Sequence, residues 1–127
     1  MDARILLVDD ELSVRSMLKL VFETHGYVVT AAASASEAER ILADQKPFDL
    51  VLTDMRMETD TAGYTVVAAA KTREHPPAIV ILTAYPLLAK DWRAAGADAV
   101  VSKPSATISL LELVQELIEL RRAKDKS

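Results

Sequence analysis

The sequence predicts an α/β fold: a single five-stranded parallel sheet, doubly wound, with helices on both faces. Three observations predict it. Four short runs, RILLV at 4–8, DLVLT at 49–53, AIVIL at 78–82 and AVV at 99–101, are continuously rather than alternately apolar, the pattern of strands covered on both sides. Helical patterns separate them, so the order is β then α five times over, which implies right-handed crossovers. Half of the 127 residues are apolar, enough for one core, and the length leaves no room for a second domain, so residues 1–127 read as one unit.

Taken in order, the first strand at 4–8 leads into a helix at about 12–25, closed by Gly26, where a left-handed cap is wanted. A weaker strand, YVVTAA at 27–32, precedes a helix at 36–45 whose start carries a capping box, Ser36 with Glu39 three residues on. The strand at 49–53 is followed by a helix at 62–74, and the strand at 78–82 by a short helix at 87–95 that ends at Gly96. The last strand, 99–101, leads to a helix at 107–122. In that helix Leu120, Leu113, Leu117, Leu110, Val114, Ile118 and Leu111 sweep an apolar arc of roughly 180°, wider than the ~100° stripe one core needs. One side of the arc is therefore expected at the surface. His25 and His75 sit at helix ends and read as caps. Trp92 reads as packing on the short helix, and the tail RRAKDK as a solvated helix end.

Composition narrows the function classes. Fifteen basic and 19 acidic residues leave a net charge of −4 with no basic cluster before the tail, so direct nucleic-acid binding is not expected. The absence of cysteine excludes disulfides, thiolate metal sites and thiol catalysis. No stretch is long enough to span a membrane, and MDARILLVDD places acids where an export signal carries bases, so the expected location is the cytoplasm.

In a sheet of this kind, ligand sites lie outside the carboxyl ends of the strands. There the sequence collects its polar groups: Asp9, Asp10 and Glu11 after the first run, Asp54 after the third, Thr83 and Ala84 after the fourth, and Ser102, Lys103 and Pro104 after the fifth. Converging carboxylates repel unless they share a cation, and oxygen ligands without His or Cys favour Mg²⁺, with Ca²⁺ or Mn²⁺ as substitutes. A lysine and a hydroxyl opposite a metal-bound carboxylate suit the equatorial oxygens of a phosphoryl group. Asp54, ionised at neutral pH, can itself be the nucleophile.

The set VDDE, LTDMRM, ILTAY and GADAVVSKP resembles the receiver domain of bacterial two-component response regulators, over essentially the whole chain. The resemblance implies the flavodoxin-like strand order 2-1-3-4-5. It implies Asp10 as a direct Mg²⁺ ligand, Asp9 as a ligand through water, and Asp54 as phosphoacceptor and ligand, helped by the backbone carbonyl of Arg56. Thr83 is implied as the hydroxyl that turns toward the phosphoryl group, and Lys103 as its cation, with a cis bond before Pro104. The implied partner is a histidine kinase or phosphotransfer protein, and the implied role is signalling rather than enzymatic turnover, with self-catalysed phosphotransfer and slow autodephosphorylation. The face made by the fourth helix, fifth strand and fifth helix is the implied surface for a homodimer. Two rivals are a Mg²⁺-dependent aspartyl-phosphate phosphatase, which wants an acid where this chain has Arg56, and a receiver-like binding module that is not phosphorylated.

The chain departs from the family pattern at several points. Glu58 stands where a proline is common, and Gly63 lies nine residues after Asp54 rather than about eight, so a longer, less rigid loop is expected. Only 19 residues separate Thr83 from Lys103, so the fourth helix is expected to be short. Val100 replaces the aromatic usually found three residues before the lysine, which removes the common Thr-to-aromatic switch. Tyr85, two residues after Thr83, resembles a minority arrangement in which it takes over the switch. The resemblance also implies that Arg56 and Tyr85 occupy positions flanking the path of an attacking water, so they are expected to shield an aspartyl phosphate.

Overall fold

The computed structural model describes residues 2–44, 46–85, 87–103 and 107–125. Ten elements alternate: β1 (Arg4–Val8), α1 (Leu12–Thr24), β2 (Val28–Ala32), α2 (Ala35–Asp44), β3 (Leu50–Asp54), α3 (Ala62–Lys71), β4 (Ala78–Thr83), α4 (Ala89–Ala95), β5 (Ala99–Ser102) and α5 (Thr107–Asp125). All neighbouring strands pair in parallel, in the order β2-β1-β3-β4-β5. The two strands with the weakest sequence signal, β2 and β5, are the edges, where one flank lacks a partner strand and apolar continuity is less needed.

Strand alternation divides the core in two. Ile5, Leu7, Leu50, Leu52, Val80 and Leu82 point to one face, covered by Leu18 and Phe22 of α1 and by Leu110, Val114 and Ile118 of α5. Leu6, Val8, Val51, Ile79 and Ile81 point to the other, covered by α2, by Val66, Val67 and Ala70 of α3, and by Trp92 of α4. Phe22, edge-on to Tyr27 at 5.9 Å, is the largest fully buried side chain among the described residues. Its truncation to alanine should cost about 3–5 kcal/mol.

The apolar arc of α5 is mostly consumed by this packing. Leu110, Val114 and Ile118 are buried, and Leu111, Leu113 and Leu117 are half-buried against the same face. The exposed surplus is Ile108 and Leu120, less than a 180° arc implies. Trp92 does not cover α5 but packs on the opposite side of the sheet.

Helix ends account for the other differences. At the start of α2 the capping box is not Ser36 with Glu39 but the equivalent pair two residues earlier. Ser34 Oγ accepts the Glu37 N–H at 3.1 Å, and the Glu37 carboxylate accepts the Ala33 N–H at 3.3 Å. Gly26 beyond α1 (φ +90°) and Gly96 at the cap of α4 (φ +106°) hold the left-handed conformation expected of them. The imidazole Nδ1 of His25 lies 2.8 Å from the Val21 carbonyl, a helix-end contact. Among the described residues, no helix is long and apolar enough to cross a membrane.

Candidate functional site

The alternation that sorts the core also aims the polar groups. Asp9 continues the series Ile5, Leu7; Asp54 continues Leu50, Leu52; and Lys103 continues Ala99, Val101, so all three emerge on the α1/α5 side. The Lys103 ammonium donates to Asp9 Oδ2 at 2.9 Å and to Asp54 Oδ2 at 3.2 Å. Asp9 is fully buried and Asp54 nearly so, while Asp10 is exposed. The ammonium therefore bridges two carboxylates, and the shorter contact is to Asp9.

Local backbone groups fix the orientation of both acids. The Glu11 N–H donates to Asp9 Oδ1 at 2.9 Å, closing a turn around the side chain. The Met55 N–H donates to Asp54 Oδ1 at 2.8 Å. Glu11 itself is the N-cap residue of α1, with an exposed side chain that makes no cap hydrogen bond. Of the three consecutive acids, one turns inward, one faces the pocket mouth and one begins a helix.

Burial pushes the Asp54 carboxyl above its ordinary 3.8; the nearby Lys103 charge opposes this, and the Asp9 charge adds to it. For Lys103, burial works against the ammonium, but the hydrogen bond and charge of Asp9, joined by Asp54, outweigh it and hold the group above 10.5. One ammonium thus does not neutralise the pocket.

A hard cation fits the remainder. One carboxylate oxygen from each of Asp9, Asp10 and Asp54 lies within 4.8 Å of the others. The donors are all oxygen, and exposed Asp10 leaves an open side for the waters that Mg²⁺ retains.

Thr83, buried at the end of β4, lies one residue beyond Leu82, the residue paired with Asp54. Its carbonyl accepts the Lys103 N–H at 2.8 Å, and its hydroxyl accepts the Tyr85 N–H at 3.2 Å. Tyr85 and Arg56 meet: the guanidinium lies over the phenol ring, 3.7 Å from its centroid. Val100 is half-buried against the α3/α4 side of the core. Pro104 and its peptide bond lie outside the described residues.

Three further residues support the site. The Arg15 guanidinium donates to the Asp9 carbonyl at 2.7 Å, tying α1 to the turn that presents Asp9 and Asp10. Its signal in the sequence is a base one turn into a helix, where acids are favoured. Glu58 accepts the N–H groups of Ala35 and Ser36 at 2.9 and 3.0 Å, capping α2 from a distant loop. These bonds hold the Glu58 carboxyl below its ordinary 4.5. The loop expected to be less rigid without a proline is therefore anchored to a second element. Gly63 packs directly on the acceptor strand: a Cβ there would stand 2.6 Å from the Asp54 carbonyl oxygen, and the Gly63 N–H donates to the Met55 carbonyl at 2.8 Å.

Comparison with known proteins agrees with this geometry. The chain matches the family model described as the response regulator receiver domain over residues 5–115. It is 35% identical to the alginate biosynthesis transcriptional regulatory protein AlgB of Pseudomonas aeruginosa over 94% of this chain, but spans only 26% of that protein. It is 29% identical to sporulation initiation phosphotransferase F of Bacillus subtilis, covering 95% of this chain and 98% of that one. Among solved structures, a CheY-like receiver domain protein from Methanospirillum hungatei superposes with a TM-score of 0.88 at 28% identity, covering 98% of this chain and 99% of that one. The response regulator TrrA of Thermotoga maritima, solved in complex with Mg²⁺ and BeF, superposes with a TM-score of 0.79 at 31% identity, covering 91% of this chain and 98% of that one. With its five parallel strands in this order and its acidic pocket at their carboxyl ends, the chain belongs to the receiver domain family of two-component response regulators.

Proposed function

We propose that this receiver accepts a phosphoryl group on Asp54 from the phosphohistidine of a histidine kinase or phosphotransfer protein. The observation that carries the reading is the Lys103 ammonium, held between Asp9 and Asp54 beside three carboxylates that fit a hard cation. In the proposed step an Asp54 oxygen forms the new bond to phosphorus while the bond from phosphorus to the imidazole nitrogen breaks, and the imidazole leaves with the partner. Asp54 attacks as the carboxylate, the form that the Lys103 ammonium beside it favours, and so needs no general base. Lys103 moves from the two carboxylates toward an oxygen of the transferred group, and Thr83 offers its hydroxyl to another. Asp9, Asp10, Asp54 and the Arg56 carbonyl would hold Mg²⁺, which would supply charge neutralisation at the phosphoryl oxygens. Its presence beside BeF in the related TrrA structure supports this assignment.

The reading extends to the whole chain as one domain, working in the cytoplasm as a signalling element whose own catalysis is confined to phosphotransfer and slow dephosphorylation. For self-association, the exposed Leu88, Ile108 and Leu120 on α4 and α5 support the face made with β5. Leu120→Glu is the variant to test by sedimentation, because Leu113 is part of the core packing.

Mass spectrometry after incubation with acetyl phosphate and Mg²⁺ tests the central claim. The expected product gains about 80 Da, one phosphoryl group, and Asp54→Asn gains nothing. Turnover of acetyl phosphate without an adduct would favour a phosphatase. Neither adduct nor turnover would leave a binding module.

A further inference from the structure

The Arg56–Tyr85 stack joins two loops at the carboxyl edge of the sheet. Arg56 belongs to the loop after β3, two residues beyond Asp54, and Tyr85 to the loop after β4, two residues beyond Thr83. The guanidinium lies 3.7 Å from the ring centroid, and its other charged contact, Asp60, is at 4.0 Å. Both side chains are about half exposed, so the stack is a weak contact made in water. The Tyr85 backbone is bonded to the Thr83 hydroxyl at 3.2 Å.

Arg56 thus has an aromatic face as its main contact and, two residues away, the carboxylate proposed to become a phosphoryl dianion. A planar guanidinium binds such an anion through paired, charge-assisted hydrogen bonds, which are stronger than a solvated cation–π contact. The two partners compete for one cation. We propose that phosphorylation of Asp54 draws Arg56 off Tyr85, so that the released ring, and not an aromatic on β5, transmits the state of the site to the α4 surface. Val100 offers no ring on β5, whereas Tyr85 stands at the start of the segment leading into α4. The Thr83 hydroxyl adds a second push, since turning toward the phosphoryl group would break its bond to the Tyr85 N–H. The inference rests on the phosphoacceptor role of Asp54 and adds a regulatory coupling to it.

The competition has a sign that shielding alone does not predict. If the stack must break for the anion to bind, removing the ring should strengthen anion binding, and removing the guanidinium should weaken it. The probe is beryllofluoride with Mg²⁺, followed by NMR of the labelled full chain. Before addition, the Arg56 side-chain protons should be shifted upfield by the Tyr85 ring current, an effect absent in Tyr85→Leu. On addition, amide signals of Met55 and Lys103 should move as the site fills, and the Arg56 protons should return to the positions seen in Tyr85→Leu. Tyr85→Leu should bind beryllofluoride about two- to fivefold more tightly, the factor corresponding to an exposed cation–π contact. Arg56→Gln should bind it about tenfold more weakly, with a Tyr85 ring that no longer responds. Arg56→Lys should keep most of the affinity, because the charge remains.

A filled site in which Arg56 stays on the ring, or a Tyr85→Leu protein that binds no more tightly than wild type, overturns the coupling and leaves the phosphoacceptor reading intact. If the Met55 and Lys103 signals never move, the phosphoacceptor reading fails and the coupling fails with it.

Discussion

At the amino end of the sheet Asp49 sits among cations, whereas at the carboxyl end Asp9, Asp10 and Asp54 gather around one. Asp49 accepts the Arg4 backbone N–H at 2.8 Å and faces Arg121 at 3.3 Å and Arg122 at 3.6 Å. Arg121 also donates to the carbonyls of His75 and Pro76, so α5 is fastened to β3 and to the turn before β4. The cluster acts as a fastening. At the other end one ammonium is shared by Asp9 and Asp54, with Asp10 beside them, and burial makes the ionised form of Asp54 costly. One sheet thus carries a stabilising ion cluster at one edge and, at the other, repulsion supported by the rest of the core. Excess charge of that kind marks a place where an external ion can contribute.

The largest expected effect comes from supplying that ion. At ~100 times its Kd, Mg²⁺ should stabilise the fold by roughly 2.7 kcal/mol, given negligible binding to the unfolded chain. The gain should vanish in Asp10→Ala, read as a melting temperature that no longer responds to Mg²⁺. An unchanged response in that variant would remove Asp10 from the site. Next in size, Asp49→Ala should lower stability by about 2 kcal/mol in urea titrations at constant slope, since it removes the acceptor of the Arg4 N–H and of an Arg121 hydrogen bond, and the ion pair to Arg122. A variant as stable as wild type would erase the contrast between the two ends.

The corresponding change at the carboxyl end should have the opposite sign. Without Mg²⁺, Asp54→Asn should raise stability at neutral pH by about 1 kcal/mol. The pH dependence follows from the upward shift of Asp54. The folded state binds that proton more tightly, so its contribution is present in full below 3.8 and is lost as pH rises through the raised folded value. The advantage of Asp54→Asn should therefore shrink in acid. A difference independent of pH between 3 and 7 would show that something other than charge is responsible.

The smallest effect concerns Glu58, whose carboxyl is lowered by the two N–H groups it caps. Its contribution is present above 4.5 and lost as pH falls through the lowered folded value. Because the group is exposed, Glu58→Ala should cost only about 0.5 kcal/mol. Faster hydrogen exchange at Ala35 and Ser36, confined to the start of α2, is the sharper measurement.

What was legible in the sequence divides along the same line. The interior strands β1, β3 and β4 were plain because burial on both faces forces unbroken apolar runs, and the acids and lysine were plain because they end those runs. The capping box of α2 was misplaced because ASASEAER contains two overlapping Ser-x-x-Glu pairs, and only the packing of Ala35 and Ala38 selects between them. Arg15, Glu58 and the Lys103–Asp9 bond depend on where loops fall in space, which periodicity does not encode. The Asp49 cluster was missed for the same reason, since its partners lie 45 and 72 residues away along the chain. The width of the α5 arc was legible, but how much of it the core would take depended on how the helix seats on β3 and β4.

The placement of Leu110, Val114 and Ile118 also bears on how the chain is made. These side chains share a cluster with Leu50, Leu52, Val80 and Leu82 of β3 and β4, residues translated earlier. A ribosome-bound chain lacking α5 can pair β1 with β3, and bond Asp49 to Arg4, while the part of the α1/α5 face over β3 and β4 remains uncovered. Until α5 emerges, that apolar face is available to chaperones and to other nascent chains, so the interval before α5 leaves the ribosome is the one in which misassembly is most easily seeded.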